Sequence, residues 1–250
     1  MGSLRLQDRC IVITGAESGI GRATALRAAQ EGADIGAIGL DAPALASLAD
    51  EVHVAGRRCA VVQADVTDEA QITQAIAEVA HYLGGLDVVH ANAGVAMPAT
   101  PVADVDLREW DRILAVNLTG VFLTFRAGLV HLRERGAGLL LATGSSTALR
   151  PGVGMLPYVA AKAGVHVLAR SLALELASEA IRVNVLAPGL TETPLTLNIP
   201  GHIERGLAAV PLGQVVNAED VAGLAVHLMS DEGRHITGSV FSIDAGRTAV

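Results

Sequence analysis

Residues 10–21 read Cys-Ile-Val-Ile-Thr-Gly-Ala-Glu-Ser-Gly-Ile-Gly, and the fold follows from them. Cys10–Thr14 is a short apolar run with β-branched residues, the mark of a buried strand. It passes at once into a glycine-rich turn and then into helix-period sequence over Ile20–Glu31. Glycines there let the backbone turn tightly and come close to a ligand. The helix N-terminus adds free N–H groups and a partial positive charge suited to a pyrophosphate. Gly15, Ser18, Gly19, Ile20 and Gly21 are therefore the candidate phosphate cradle. A carboxylate that bonds a ribose 2′-hydroxyl usually stands about 20 residues further on. Asp41 is 20 positions after Gly21.

The same alternation continues along the chain. Further strands are expected at Ile35–Gly39, Cys59–Gln63, Leu86–His90, Leu139–Thr143, Ile181–Leu186 and Val240–Ile243. Helices are expected at Ile20–Glu31, Pro43–Ala55, Glu69–Leu83, Leu107–Arg135, Tyr158–Ser178 and Ala218–Ser230. Continuous apolar strands separated by helices predict an α/β fold, a doubly wound parallel sheet with helices on both faces. Ligands then sit at the carboxyl ends of the strands. Asp65-Val66 and Asn92-Ala93-Gly94 close the third and fourth strands on that edge, so they join the candidate dinucleotide site. The 250 residues read as one domain, 1–250. Only residues 190–214, with Pro194, Pro200 and Pro211, break the rhythm, and they are expected to form a substrate loop or lid.

Composition narrows the function classes. Hydrophobic residues make up 51%, yet no uninterrupted apolar run reaches the length of a membrane span; Arg126 interrupts Val121–Leu132. The opening MGSLRLQDR has no secretory pattern, and Leu6 stands where a myristoylation motif at Gly2 wants Ser or Thr. A net charge of −8 argues against nucleic acid as a partner. Two cysteines without metal spacing and eight scattered histidines point to a reducing compartment, the cytoplasm, and to no metal site.

One pair of residues carries chemistry. Tyr158 and Lys162 lie four apart at the start of a predicted helix and share a face. The chain has 17 arginines and one lysine, Lys162. A compact ammonium beside a phenol favours the phenolate and brings a proton acceptor toward the working range, which a planar arginine does not do simply. Ser145, thirteen residues before Tyr158 with Ser146 beside it, ends a strand where its hydroxyl would hold a substrate oxygen. Asn117 interrupts an apolar helical pattern and needs partners, either in a site or as a bridge across the core.

With these motifs in order, the sequence resembles the short-chain dehydrogenase/reductase family over nearly its whole length. The likeness runs through TGAESGIG, NAG at Asn92–Gly94, Asn117, Ser145, YVAAK at Tyr158–Lys162, PG at Pro188-Gly189 with Thr193, and ITG at Ile236–Gly238. The resemblance implies a Rossmann fold of about seven parallel strands, assembled as a homo-oligomer, tetramer or dimer. It implies hydride transfer between a nicotinamide and an alcohol or ketone. Ser145, Tyr158 and Lys162 would be catalytic, with Asn117 holding a relay water. Asn92 and Pro188, Gly189, Thr191 and Thr193 would flank the cofactor.

Departures from the family pattern bear on the cofactor. NAD-preferring relatives close the second strand with an acid; that place here is Gly39, and Asp41 falls two residues later. NADP-preferring relatives carry a base where this chain has Leu40 or Ser18. With Asp41 and Glu17 repelling a 2′-phosphate, NAD is expected, NADP remaining open. Met97, Leu149, Met155, Leu156, Leu190 and Leu195 are expected around the substrate, which suits an apolar or alicyclic secondary alcohol or ketone. The alternative within the class is an NADPH-dependent 3-oxoacyl-carrier-protein reductase, but Glu179 stands where such relatives place a docking arginine. From another class comes a non-catalytic dinucleotide sensor, against which the intact Ser, Tyr and Lys speak.

Overall fold

The computed structural model describes residues 4–199 and 201–249; Gly2 and Pro200, named above, lie outside them. The chain runs Cys10–Thr14 (β1), Gly19–Gln30 (α1), Asp34–Gly39 (β2), Ala42–Val54 (α2), Cys59–Gln63 (β3), Glu69–Leu83 (α3) and Val88–Ala91 (β4). It continues through Leu107–Leu114 (α4), Gly120–Arg135 (α5), Gly138–Thr143 (β5), Leu156–Leu176 (α6) and Ile181–Pro188 (β6). Last come Pro194–Leu197 (α7), His202–Leu207 (α8), Ala218–Met229 (α9) and Val240–Ile243 (β7).

All strand pairs are parallel, in the order β3-β2-β1-β4-β5-β6-β7. This is the Rossmann-type sheet, with seven strands. Side chains alternate across each strand, and both faces are covered, so the strands are apolar throughout. Ile11 and Ile13 of β1 pack with Ala25, Leu48 and Val226 of α1, α2 and α9; Val12 packs with Ile76, Phe125 and Val165 of α3, α5 and α6 on the other face. Strand β1 pairs with β2 on one side and β4 on the other. Connections leave β1 in opposite directions there, which opens a crevice beyond the carboxyl ends of β1 and β4.

Two helices differ from the sequence expectation by more than one residue at an end. Leu107–Arg135 is not one regular helix: residues Ala115–Thr119 form a π turn between α4 and α5. This stretch is apolar enough, by length and composition, to cross a membrane, with mean hydropathy 1.7. Its α5 part lies on the sheet, with Val121, Phe125 and Leu132 buried in the core. Helix α6 starts at Leu156 rather than Tyr158, because Pro157 is accommodated in a first turn, where its missing N–H costs nothing.

The amino ends of the strands are tied by arginine–aspartate clasps. Asp87, just before β4, accepts the Cys10 N–H at 2.8 Å and two bonds from Arg135 at 3.1 and 3.2 Å, with Arg9 3.7 Å away. Asp34, at the start of β2, accepts from the Arg58 backbone and guanidinium at 3.0 and 2.8 Å and pairs with Arg57 at 3.0 Å. Both aspartates are buried. The arginines beside Asp34 hold its carboxyl below the usual range, against the opposing pull of burial.

Candidate active site

A cleft of ≈ 430 Å³ opens along the carboxyl edge of the sheet, over the crevice between β1 and β4. The turn after β1 forms one wall. Gly15 has φ +64°, and a Cβ there would stand 2.8 Å from the Ala93 Cα, so the turn touches the β4 end directly. Gly21 does not line the cleft but packs behind it, where a Cβ would collide with the Gly15 carbonyl oxygen. Ser18 is the N-cap position of α1; its side chain caps no N–H among the described residues, which leaves the first turn open to the cleft.

Asn92 latches this edge together. Its amide donates to the Thr14 and Gly15 carbonyls at 3.1 and 3.2 Å, and its oxygen accepts from the Thr143 hydroxyl at 2.9 Å. His90 bonds the same hydroxyl at 3.0 Å and is pushed down to about 3 by burial. Ala93, Gly94, Asp65, Val66, Pro188 and Gly189 line the cleft, as do Ile20, Thr191 and Thr193. Thr193 also caps α7 in a reciprocal box with Thr196.

Asp41 departs from the sequence expectation. Its carboxylate caps α2 by accepting the Ala44 N–H at 3.0 Å, and it is not among the cleft residues. The residue spacing fits a ribose ligand, but a helix start so close behind β2 turns that side chain to its own backbone.

At the other end, Ser145, Tyr158 and Lys162 meet. The Ser145 oxygen accepts from the Thr147 N–H and hydroxyl at 3.2 and 2.8 Å. Those bonds fill its two lone pairs and leave the Ser145 proton to be donated. The Ser145 side chain beside the Tyr158 phenol lowers the phenol's pKa in part. The dominant influence on Tyr158 is burial, which pushes the phenol above its ordinary range. This corrects the expectation that the neighbouring ammonium sets the direction. Lys162 donates to the Thr143 carbonyl at 2.8 Å, and its Nζ stands 5.8 Å from the Tyr158 ring centroid. Burial brings Lys162 down to about 8.

Asn117 sits in the π turn with no exposed surface. Its amide donates to the carbonyls of Val95 and Ile113 at 3.0 and 3.1 Å, and its oxygen accepts the Val95 N–H at 3.2 Å. The side chain joins the β4 loop to the α4–α5 junction, and Asn117 lines the cleft there.

Of the expected substrate residues, Leu195 alone lines the cleft. Met97 is buried with Ile113 and Ala161, and Leu190 is buried, packed toward Gly206. Met155 precedes α6 outside the cleft wall, and Leu149 and Leu156 are exposed to solvent. Apolar character alone did not separate side chains that wall a cleft from those that fill the core beside it.

The sequence reading missed His166, Thr147 and Arg112. His166 accepts the Ser145 N–H at 3.4 Å, and burial, with the Lys162 and Arg170 charges, lowers it to about 4. Its place four residues after Lys162, on the same helical face, was an available signal. The donor set suits a dinucleotide: a glycine-backbone wall, an open helix N-terminus, a carboxylate from Glu17 at one end and a buried ammonium at the other.

Comparison with known proteins agrees with this geometry. A family model described as enoyl-(acyl carrier protein) reductase matches residues 15–248. The cis-4-hydroxycyclohexanecarboxylate dehydrogenase of Sinomonas cyclohexanicum is 38% identical over 97% of this chain and 98% of its own. A 3-oxoacyl-[acyl-carrier-protein] reductase of Thermotoga maritima is 36% identical over 97% of this chain and 99% of its own. Carveol dehydrogenase from Mycobacterium avium, solved in complex with NAD, superposes with a TM-score of 0.95 at 31% identity, covering 98% of this chain and 99% of that one.

Proposed function

Because this chain belongs to the short-chain dehydrogenase/reductase family, we propose that it transfers a hydride between NAD(H) and an apolar or alicyclic secondary alcohol or its ketone. The observation that carries this reading is the meeting of Ser145, Tyr158 and Lys162 at one end of a dinucleotide-suited cleft. The alicyclic substrate of the Sinomonas relative supports the substrate class.

In this reading bound NAD(H) supplies or accepts the hydride at its nicotinamide. The chain's own residues handle the proton. Tyr158 gives its phenolic proton to the carbonyl oxygen in reduction and takes it from the hydroxyl in oxidation. Ser145, with both lone pairs engaged by Thr147, donates to that same oxygen and orients it. Lys162 uses one proton on the Thr143 carbonyl and has others for ribose hydroxyls. Asn117, which lines the cleft, is the residue beside which a relay water would stand, although both of its amide protons are committed to Val95 and Ile113. Residues 190–214, whose Thr193 and Leu195 line the cleft, serve as the lid.

The chain works as a homo-oligomer in the cytoplasm, on the same proposal. Phe122 and Val130 on α5 and Val167 and Leu174 on α6 are exposed, with the Arg126 guanidinium over the Phe122 ring between the first two, a mixed face suited to a second copy. Cys10 and Cys59 are free thiols. The carrier-protein reading has less support, because Glu179 adds a negative charge where a basic patch is needed, and that charge is bonded to Arg133 at 2.6 and 2.9 Å.

The test is a panel of alicyclic, linear and sugar alcohols offered with NAD, with 3-oxoacyl thioesters offered with NADPH. Turnover confined to alicyclic alcohols supports the reading; turnover of thioesters alone replaces it with the carrier-protein one.

A further inference from the structure

The second strand ends in a residue without a side chain, and a carboxylate from elsewhere fills the gap. A Cβ on Gly39 would collide with Glu17 Oε2 and stand 2.8 Å from Oε1. Glu17 comes from the turn after β1, yet its head group occupies the space that a side chain at the end of β2 would take. Its Oε1 accepts the Leu40 N–H at 3.2 Å, which fixes the carboxylate against β2. Its Oε2 is buried and has no hydrogen-bond partner among the described residues. A carboxylate oxygen shielded from water without a donor is costly, and because Glu17 lines the cleft, a turn of its carboxylate brings that oxygen to a ligand donor.

The position of this oxygen indicates which donor. Glu17, Gly39 and Leu40 line the cleft on the far side of the α1 N-terminus from Lys162 and Tyr158. A dinucleotide with its pyrophosphate at α1 and its reacting end at Tyr158 brings its adenosine ribose to this place. Asp41 is occupied as the cap of α2. Arg22, the base in the first turn of α1, points to α2, bonding the Ala44 carbonyl at 3.2 Å, the Ser47 hydroxyl at 3.2 Å and Glu51.

We propose that Glu17 is the residue that reads the adenosine ribose and selects NAD over NADP, its carboxylate turning to present the unpartnered oxygen to the 2′-hydroxyl and repelling a 2′-phosphate. The inference rests on the nicotinamide-dependent function proposed above. It moves the ribose carboxylate from the second strand to the glycine-rich turn, with Gly39 as the vacancy that admits it.

The experiment is a fluorescence titration with NADH and with NADPH of the wild type, Glu17→Gln, Asp41→Asn and the double variant Glu17→Ser/Gly39→Asp, each checked by its melting curve. We expect Glu17→Gln to weaken NADH about tenfold or more, as loss of a charged hydrogen bond does, without weakening NADPH. Asp41→Asn keeps the wild-type ratio. The double variant, which returns a carboxylate to the same space from β2, restores the preference for NADH. An unchanged ratio in folded Glu17→Gln, or the shift appearing in Asp41→Asn, overturns the proposal. If the single variant does not fold, loss of NADH preference in the double variant overturns it and retention supports it. A wild type that binds neither nicotinamide would instead remove the proposed function.

Discussion

The Lys162 ammonium stands 5.8 Å from the centre of the Tyr158 ring. At that distance it is bonded to the Thr143 carbonyl rather than to the phenol. The lysine is held by the end of β5, and the tyrosine is addressed by Ser145. The two residues thus reach the same end of the cleft from separate anchors.

Replacing Tyr158 by Phe removes the proton and leaves the ring. Turnover should fall by about 10²–10⁴-fold, the usual worth of a positioned acid or base, while NADH affinity stays near that of the wild type. Steady-state kinetics and a binding titration on the same preparation check both halves.

Lys162→Met should abolish turnover and stabilise the ligand-free protein. The folded state lowers Lys162 from 10.5 to about 8 because burial disfavours the charge. Below about 8 both folded and unfolded chains carry the proton, and the full cost is present. Between about 8 and 10.5 the unfolded chain binds more protons, so wild-type stability rises with pH. The variant's advantage, up to about 3 kcal/mol near neutrality, should shrink across that window in urea melts.

Acid should act through His166 and His90, which burial lowers from 6.5 to about 4 and about 3. Below 6.5 the unfolded chain takes up protons that the folded chain refuses, so stability falls as pH drops toward 4. The slope is about 1.4 kcal/mol per pH unit for each such histidine. His166→Asn should flatten the dependence of the urea midpoint on pH between 6.5 and 4.

Asp87→Ala should cost about 1–3 kcal/mol, since it leaves the buried Cys10 N–H without its acceptor, while the half-exposed Arg135 turns to solvent. The folded fraction should keep its turnover, because this clasp lies at the amino ends of the strands. Thermal melts and active-site-normalised rates separate the two effects.

Strands were readable wherever apolar runs were bounded by turns: β1, β3 and β7 have the limits that their sequence suggests. The π turn was not readable, because Ile113-Leu114-Ala115-Val116 keeps a helical apolar pattern through the irregularity. Asn117 stood out only as a polar residue in that run. The Ser145, Tyr158 and Lys162 cluster could be anticipated because each residue lies at a strand end or helix start whose direction the topology sets. The end of the cleft beside β2 was harder. A rule based on chain distance led to Asp41, whereas the carboxylate that fills the space at the end of β2 belongs to Glu17, 22 residues before the glycine concerned. Sequence spacing records neighbours along one element, and this contact joins two.

The arginine–aspartate clasps lie at one end of the sheet and the cleft at the other. Cohesion and recognition therefore draw on different residues. Lineages carrying this scaffold can exchange loop residues such as Leu195 and drift toward new alcohols while the clasped end keeps the chain folded. The capacity to diversify is built into the direction of the strands.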